Sequence, residues 1–241
     1  DVITTTFSPF QTLRCCEQIK VNLGYMKNKV CMVGLASGVV LGSLGYTHCS
    51  IEDIGVLRSI PNISIISPAD VRETIKSVEA AINHSQSVYI RLTGGSNNPI
   101  IYNEDYDFKI GKAVQIDKGK DLVIYANGSM VNLAKSVRSK LLENKIEAEI
   151  INVHTIKPID KETIIKSVKK TNKVVVIEEG WSQSGVAAEV ISIIVENVFD
   201  YLDTEPLRFC GKDIPLPYAE NLEKLALPSV NSIVKKCLEI C

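Results

Sequence analysis

The sequence lacks an excess of charge of either sign. Its 241 residues contain 27 Lys and Arg against 28 Asp and Glu, which gives a formal net charge of −1 at pH 7. This balance excludes a broadly basic nucleic-acid-binding protein and an acidic tail. Glycine and proline are not enriched, at 14 and 9 residues, which excludes a collagen-like or disordered chain. The composition is that of a globular protein, long enough for one large domain or two smaller ones.

The sequence also lacks the cysteine spacing of a metal site or a disulfide framework. Its seven cysteines are odd in number, and none belongs to a Cys-x-x-Cys motif. A basic stretch followed by an apolar one, as in a signal peptide, is missing from the start of the sequence. These features predict reduced thiols and a cytoplasmic protein.

One long uncharged segment, residues 30–51, has to be weighed as a membrane span. Gly34, Gly38 and Gly42 repeat at the four-residue spacing that lets membrane helices approach closely. However, several serines and threonines and His48 would then lie in lipid, where polar groups are costly. We therefore interpret the segment as a strand that leads into a glycine-rich loop.

Short apolar runs alternate along the chain with segments of helical periodicity. This alternation predicts an α/β fold in which parallel sheets are covered by helices. It stops in a polar connection near residues 95–120, with a predicted loop at 94–99, and then restarts. We therefore expect two open, parallel-type sheets, mixed at their edges, with flanking helices. The predicted strands are 30–33, 63–67, 88–92, 121–125, 148–153, 173–177 and 207–210; the predicted helices are one capped by Ser50 that ends at Pro61, then 69–83, 131–143, one after Pro158 that ends at Lys170, 185–198 and 230–240.

A hydrolase is one functional class to consider. Ser182 lies between a predicted strand and a predicted helix, where α/β hydrolases place their nucleophile. The Gly-x-Ser-x-Gly motif needs glycine at position 184, but the residue there is Ser184. The alternative is that Ser182 or Ser184 caps the helix that follows. The sequence contains no dinucleotide-binding glycine motif, P-loop or HExxH motif.

Three histidines are candidates for acid–base chemistry. His48 follows the glycine-rich loop and precedes a predicted helix, so it could face a cleft and donate hydrogen bonds to a substrate. His154 follows a predicted strand, a common address for chemistry in a parallel sheet, although a structural hydrogen bond explains it at least as well. His84 ends a predicted helix, where a solvated cation interacts favourably with the helix dipole.

Near the start of the chain, Phe7, Phe10 and Leu13 are spaced three residues apart. Pro9 favours the first turn of a helix, which would place the three side chains on one face. Packing in a core and stacking on a heteroaromatic ring both explain such a face. The residues alone do not decide between these two roles.

Several segments, in the correct order, resemble the thiamine-diphosphate enzymes of the transketolase and 2-oxo-acid dehydrogenase E1β group. The first part is most similar to the C-terminal subunit of a split transketolase, and the second part resembles E1β as well as transketolase. The resemblance covers nearly the whole chain and implies a pyrimidine-binding domain, N-terminally incomplete, in residues 1–108 and a transketolase C-terminal domain in residues 109–241. The matching segments are TFSPF (6–10), RCCEQI (14–19), GSLGYTH (42–48), IEDI (51–54), RSIPN (58–62), SPAD (67–70), NVHTIKPID (152–160), VIEEGW (176–181) and DIPLPYA (213–219).

The resemblance implies thiamine diphosphate as the cofactor. Phe10 falls where the family packs an aromatic ring on the aminopyrimidine, with Phe7 and Leu13 beside it. His48, from the Thr-His segment, would contact substrate hydroxyls, stabilise developing charge and move protons. The diphosphate and its Mg²⁺ or Ca²⁺ would be held by a partner domain, because the family's Gly-Asp-Gly-type ligand segment does not occur in this sequence.

Three features depart from the family pattern. The family's cofactor-activating Glu lies upstream of the aromatic segment and is missing here, so we expect the chain to be incomplete on its own. Leu44 stands where transketolases have an Asp that contacts a sugar hydroxyl. Gly94 stands where enzymes that use sugar phosphates have an Arg, with Arg91 nearby but out of register. We therefore take Leu44 and Arg91 as the candidate substrate residues and leave phosphate recognition open.

The implied function is transfer of a two-carbon ketol unit between sugars, with a small sugar or sugar phosphate as the substrate. The implied partner is an N-terminal, diphosphate-binding transketolase subunit, in a homodimer or a heterotetramer, and we expect neither nucleic acid nor membrane as a partner. Three alternatives stay open. They are an E1β-type subunit of a 2-oxo-acid dehydrogenase, a 1-deoxyxylulose-5-phosphate-synthase-like enzyme and a catalytically silent scaffold subunit.

Overall fold

The first of two sheets is formed mainly by the N-terminal part of the chain. The computed structural model describes residues 2–94 and 98–241, so the predicted loop at 94–99 lies partly outside the described residues. The sheet has five strands in the order β1-β2-β4-β3-β8, parallel except for β8, which runs antiparallel to β3. These strands are β1 Val2–Phe7, β2 Val30–Ser37, β3 Ile63–Ile66, β4 Ser87–Thr93 and β8 Thr155–Lys157.

Short helical segments connect these strands and provide the residues at one edge of the sheet. They are α1 Ser8–Gln11, α2 Cys16–Gln18, a π-helical segment Ile19–Tyr25, a 3₁₀ turn Gly42–Leu44, α3 Asp53–Arg58 and α4 Val71–Asn83. The helix α4 forms where the sequence predicts one, and Asp70 caps it by accepting a hydrogen bond from the Glu73 backbone N–H.

The second sheet also has five strands, in the order β10-β9-β6-β7-β5, with only β5 antiparallel to its neighbour. Its central strands are buried on both faces, as expected for a parallel sheet covered by helices. The strands are β5 Val114–Asp117, β6 Leu122–Ala126, β7 Ala148–Asn152, β9 Val174–Trp181 and β10 Leu207–Gly211. The helices are α5 Met130–Glu143, α6 Lys161–Thr171, α7 Val186–Val198, a 3₁₀ turn Phe199–Tyr201, α8 Glu220–Ala226 and α9 Val230–Ile240.

The predicted architecture of two mixed sheets flanked by helices is confirmed. Strands β1, β5 and β8 and the helix α8 were not predicted, because they lack a continuous apolar run. Helix α4 also buries a different set of residues from its apolar stripe. Glu73, Ser77 and Ala81 are buried, whereas Val71 and Ile75 are exposed.

A buried carboxylate, Glu73 of α4, fastens the connection between the two sheets. Its side chain accepts hydrogen bonds from the Tyr102 hydroxyl at 2.7 Å and the Tyr106 hydroxyl at 2.6 Å, both in the connecting segment. It also accepts from Asn152 Nδ2, at the end of β7, at 2.9 Å. Burial raises the pKa of Glu73, while these donors act in the opposite direction. One carboxylate thus joins the first sheet's helix, the connection and the second sheet.

Immediately after β7, His154 lies at the crossing point of the two sheets and is fully buried. Its carbonyl accepts a hydrogen bond from the Ser67 N–H at 2.7 Å, and its ring stacks on Phe108 with centroids 4.3 Å apart. Its Nδ1 lies 3.0 Å from Thr155 Oγ1, and its Nε2 has no hydrogen-bond partner among the described residues. Burial lowers the pKa of His154 to about 4, so the ring is neutral at pH 7. This histidine belongs to the core rather than to a cleft.

The neutral His154 ring predicts a loss of stability in mild acid. The unfolded chain binds a proton near pH 6.5, and the folded chain does so only near pH 4. The contribution of this group is therefore fully present above about pH 6.5 and is lost as the pH falls toward about 4. We expect a loss of about 2 kcal/mol between about pH 7.5 and about pH 5, measured by urea unfolding followed by circular dichroism. The His154→Gln variant should lose correspondingly less over the same interval, and equal pH slopes in the two proteins would contradict this role.

Candidate active site

Three rings meet at the end of β1. Phe7 is the last residue of β1, and α1 starts at Ser8, with Pro9 in its first turn, which brings Phe10 back toward Phe7. Their ring centroids are 6.0 Å apart, and His48 packs against both, at 6.3 Å from Phe7 and 5.3 Å from Phe10. All three pairs are edge-to-face, the favourable arrangement for aromatic rings. The sequence-predicted residues Phe7, Phe10 and His48 are thus brought together.

These rings remain partly accessible, as a binding surface requires. Phe7 is 37% exposed, and Phe10 and His48 are half-buried. Leu13 lies in the turn after α1 and is 42% exposed. A partly exposed group of edge-packed rings fits a planar heteroaromatic ligand such as an aminopyrimidine ring.

Arg14 is part of this surface and was missed by the sequence reasoning. Its guanidinium carbon lies over the ring of Phe10, 4.1 Å from the centroid. A cation over an aromatic face stabilises both groups. The four-residue spacing of Phe10 and Arg14 is the available sequence signal, because it places the two side chains on one side of a helical turn.

His48 is held on a loop, residues 38–50, that is closed at its base. Gly38 and Ser50 exchange two backbone hydrogen bonds, at 2.9 and 2.8 Å. Leu44 lies in the 3₁₀ turn of this loop and is 53% exposed, on the same loop as His48. His48 donates its backbone N–H to the Gly45 carbonyl at 3.0 Å, and its Nδ1 lies 3.1 Å from Thr47 Oγ1. Loop 38–50 therefore presents one imidazole to the two phenylalanine rings.

A buried polar cluster supports the base of loop 38–50 from below. Arg91 of β4 is 2% exposed, and its Nε donates to Asp53 Oδ2 at 2.8 Å. Its NH2 group donates to the Ser50 carbonyl at 2.9 Å. Tyr89 donates its hydroxyl to Asp53 at 2.7 Å, and Ser8 donates to Ser50 Oγ at 2.8 Å. The predicted capping role of Ser50 is wrong, because its side chain is taken up in this cluster and α3 begins only at Asp53.

Glu179 brings the second sheet into the same cluster. Its Oε2 lies 3.4 Å from both terminal nitrogens of Arg91, and its Oε1 accepts a hydrogen bond from the Val39 N–H at 3.2 Å. Burial acts to lower the pKa of Arg91, but the carboxylates of Asp53 and Glu179 outweigh it and raise that pKa. The guanidinium is therefore charged and directed at groups inside the protein. Its proposed contact with a substrate stays a prediction.

The hydrolase interpretation finds no acid–base partner at Ser182. Its hydroxyl donates to Gln183 Oε1 at 3.1 Å, and no histidine in residues 2–94 and 98–241 contacts it. The alternative role as a helix cap is wrong. The N-cap of α7 is Gly185, and the Glu178 carboxylate accepts the first N–H groups of the helix, from Val186 at 2.8 Å and Ala187 at 3.0 Å.

The other predicted or excluded features can be placed as well. His84 is half-buried, with its Nε2 3.1 Å from Ser64 Oγ, rather than a freely solvated cation. Within the described ranges, no group of three or more His, Cys, Asp and Glu side chains could hold a metal ion. No helix in the part of the chain that the structure describes is long and apolar enough to cross a membrane.

Family models match both halves of the chain. The model of the transketolase pyrimidine-binding domain matches residues 1–98, and that of the transketolase C-terminal domain matches residues 111–233. One of the two subunits of the apulose-4-phosphate transketolase of Phocaeicola vulgatus is 36% identical over 78% of this chain and 60% of its own length. The beta chain of the mitochondrial pyruvate dehydrogenase E1 component of Dictyostelium discoideum is 38% identical over 73% of this chain and 51% of its own length. The chain thus spans between half and three-fifths of these curated relatives.

Solved structures show the same fold. A split-gene transketolase in an inactive β4 tetramer superposes with a TM-score of 0.86 and 26% identity, over 99% of this chain and 75% of that chain. The transketolase of Campylobacter jejuni superposes with a TM-score of 0.72 over 98% of this chain and 35% of its own, at 18% identity, which shows the fold alone. The two family matches, the relatives and the shared fold agree, and the chain belongs to the transketolase family, with the pyrimidine-binding and C-terminal domains of that family.

Proposed function

We propose that this chain is the pyrimidine-binding and C-terminal portion of a transketolase subunit that transfers a two-carbon ketol unit between sugars. The observation that supports this most directly is the placement of His48 against Phe7 and Phe10 on a partly exposed surface. The partner is an N-terminal, diphosphate-binding subunit, and the assembled protein is a homodimer or a heterotetramer. We expect a small sugar or sugar phosphate as the substrate and a cytoplasmic location.

Thiamine diphosphate is the proposed cofactor, and when bound it supplies the nucleophilic carbon that protein side chains lack. Phe7 and Phe10 would hold its aminopyrimidine ring by packing, with Leu13 beside them. The diphosphate and its Mg²⁺ or Ca²⁺ would lie on the partner domain, since the described residues form no metal-binding group. This chain therefore contributes the apolar half of the cofactor site.

In this proposal, His48 orients the substrate and carries a proton. An imidazole can donate a hydrogen bond to a sugar hydroxyl in one protonation state and accept a proton in the other. The contact of Nδ1 with Thr47 helps to fix the ring, which leaves the opposite ring nitrogen for the substrate. Leu44, on the same loop, would border the substrate with an apolar side chain, and Arg91 would hold the loop base while its contact with substrate is tested.

A second candidate is an E1β-type subunit that acts on a 2-oxo acid. It is favoured by the similarity to the pyruvate dehydrogenase beta chain, which equals the similarity to the apulose-4-phosphate transketolase. The full-length protein, reconstituted with its partner and thiamine diphosphate, separates the two candidates. Ketol transfer between sugars without decarboxylation of 2-oxo acids supports the transketolase proposal. Decarboxylation without ketol transfer would overturn it in favour of the E1β type, and no reaction at all would favour the scaffold alternative.

Replacement of His48 should slow catalysis and leave the fold intact. In the reconstituted complex, we expect His48→Gln to lower kcat by roughly a hundredfold, the usual contribution of a positioned acid–base group. The side chain is half-buried on a loop, so the melting temperature should change little. His84→Gln is the matched control, because His84 contacts Ser64, away from the ring cluster. A His48→Gln enzyme with the wild-type rate would remove His48 from the site.

Truncation of Phe10 should weaken cofactor binding. An aromatic contact contributes about 0.5–1.5 kcal/mol, so Phe10→Ala should raise the Kd for thiamine diphosphate roughly three- to tenfold in the assembled protein. Titration calorimetry measures this directly. Phe10→Tyr should bind nearly as well as the wild type. Phe199→Ala, at an exposed phenylalanine of the second domain, is the control and should leave the Kd unchanged. An unaltered Kd in Phe10→Ala would contradict the assigned contact.

A further inference from the structure

The position of His48 depends on the base of its loop. Loop 38–50 is closed only where Gly38 and Ser50 exchange backbone hydrogen bonds, and His48 lies two residues before that closure. A shift of the base would move the imidazole relative to Phe7 and Phe10, which lie on a different segment of the chain. Whatever fixes the base therefore sets the geometry of the ring cluster.

Glu179 contacts both ends of this base from the second sheet. One carboxylate oxygen accepts the Val39 N–H at 3.2 Å, directly after Gly38. The other oxygen contacts Arg91, whose NH2 group donates to the Ser50 carbonyl at 2.9 Å. A single side chain of β9 thus fixes one end of the loop base directly and the other end through one guanidinium.

The backbone of the first domain is shaped to admit this carboxylate. Gly38 has a φ of +74°, and a Cβ atom at this position would lie 1.8 Å from Glu179 Oε2. A glycine is therefore required at position 38 both by its conformation and by the close approach of Glu179. The sequence of the loop thus accommodates a residue that lies 141 positions away in the chain.

Neutralisation of Arg91 does not by itself account for Glu179. Asp53 already pairs with Arg91, through the Nε at 2.8 Å, whereas Glu179 lies at 3.4 Å. A second buried carboxylate adds a desolvation cost that one cation does not require. The contact that Glu179 adds beyond charge is the hydrogen bond from Val39, and that bond lies on the loop that carries His48.

We propose that Glu179 is a positioning residue for His48, through which the C-terminal domain fixes the acid–base group of the pyrimidine-binding domain. This inference rests on the proposed role of His48 in ketol transfer. Glu179 acts through the base of loop 38–50 and makes no contact with substrate or cofactor in this assignment.

The test uses the full-length protein in complex with its partner and compares Glu179→Ala with the wild type. Because Arg91 keeps Asp53 and the Ser50 carbonyl, we expect the variant to fold. Loss of geometry at the imidazole should lower kcat of ketol transfer roughly tenfold or more, with KM changed less than about twofold. Glu179→Gln keeps an acceptor for the Val39 N–H and should recover part of the rate.

Nuclear magnetic resonance of ¹³C-labelled histidine rings provides a readout that does not depend on turnover. The edge-to-face contacts with Phe7 and Phe10 shift the ring signal of His48, and this signal is assigned by its loss in His48→Gln. In Glu179→Ala, we expect the His48 signal to move or broaden, while the signals of His84 and His154 stay in place. Glu189→Ala is the matched control, since Glu189 pairs with Arg58 across the same two domains but away from loop 38–50.

Two results would overturn the proposal. An unchanged His48 signal in both Glu179→Ala and Glu179→Gln would show that the carboxylate does not position the ring. Equal displacement of all three histidine signals would show a general rearrangement of the domains instead of a local role. If the wild-type complex performs no ketol transfer, the proposed function fails, but the comparison of His48 signals still decides whether Glu179 positions the ring.

Discussion

One buried cation, Arg91, holds two carboxylates and the base of the His48 loop in place. It binds Asp53 of its own domain and Glu179 of the other, and it also donates to the Ser50 carbonyl. Such a cluster is a poor source of net stability, because every charged group has lost its water. Its parts nevertheless depend on each other, since removal of a single partner from a buried ion pair costs about 3–5 kcal/mol. The cluster thus specifies one arrangement of the loop and penalises the others.

The same arrangement makes the second domain part of the site in the first. Strand β8 extends the first sheet, Glu73 joins α4 to Asn152, and Glu179 contacts the base of loop 38–50. These three contacts are polar or involve the backbone, so they have fixed directions, unlike apolar packing, which tolerates sliding. The two domains therefore meet in one register, and a loop of the first domain can rely on a side chain of the second. In this view, the C-terminal domain supports the proposed chemistry without contacting the substrate.

Much of the fold could be predicted from local patterns, because buried parallel strands are continuous apolar runs and their helices have a clear period. Strand β1 was missed, since Val2–Phe7 is exposed and rich in threonine. The buried face of α4 was missed because Glu73 finds its partner at Asn152, far along the chain. For the site, only the family resemblance pointed to Phe7 and His48, and no local pattern marked Glu179. Its separation from Glu178 follows from strand alternation, which sends neighbouring side chains to opposite faces: Glu178 binds the start of α7, and Glu179 binds Arg91.

The exposure of the ring cluster also bears on how the site works. A reaction that needs a dry, preorganised pocket is poorly served by rings that contact water. Yet Phe7, Leu13 and Leu44 are 37%, 42% and 53% exposed, although all three lie on the segments that carry the proposed site. Apolar side chains at a functional edge are best explained by a surface that covers them. Together with the lack of a metal-binding group among the described residues, this favours a site that is shared between this chain and its proposed partner. The rigid base of loop 38–50 then has a clear purpose, because a site completed by a second protein chain needs its first half to be fixed before the two surfaces meet.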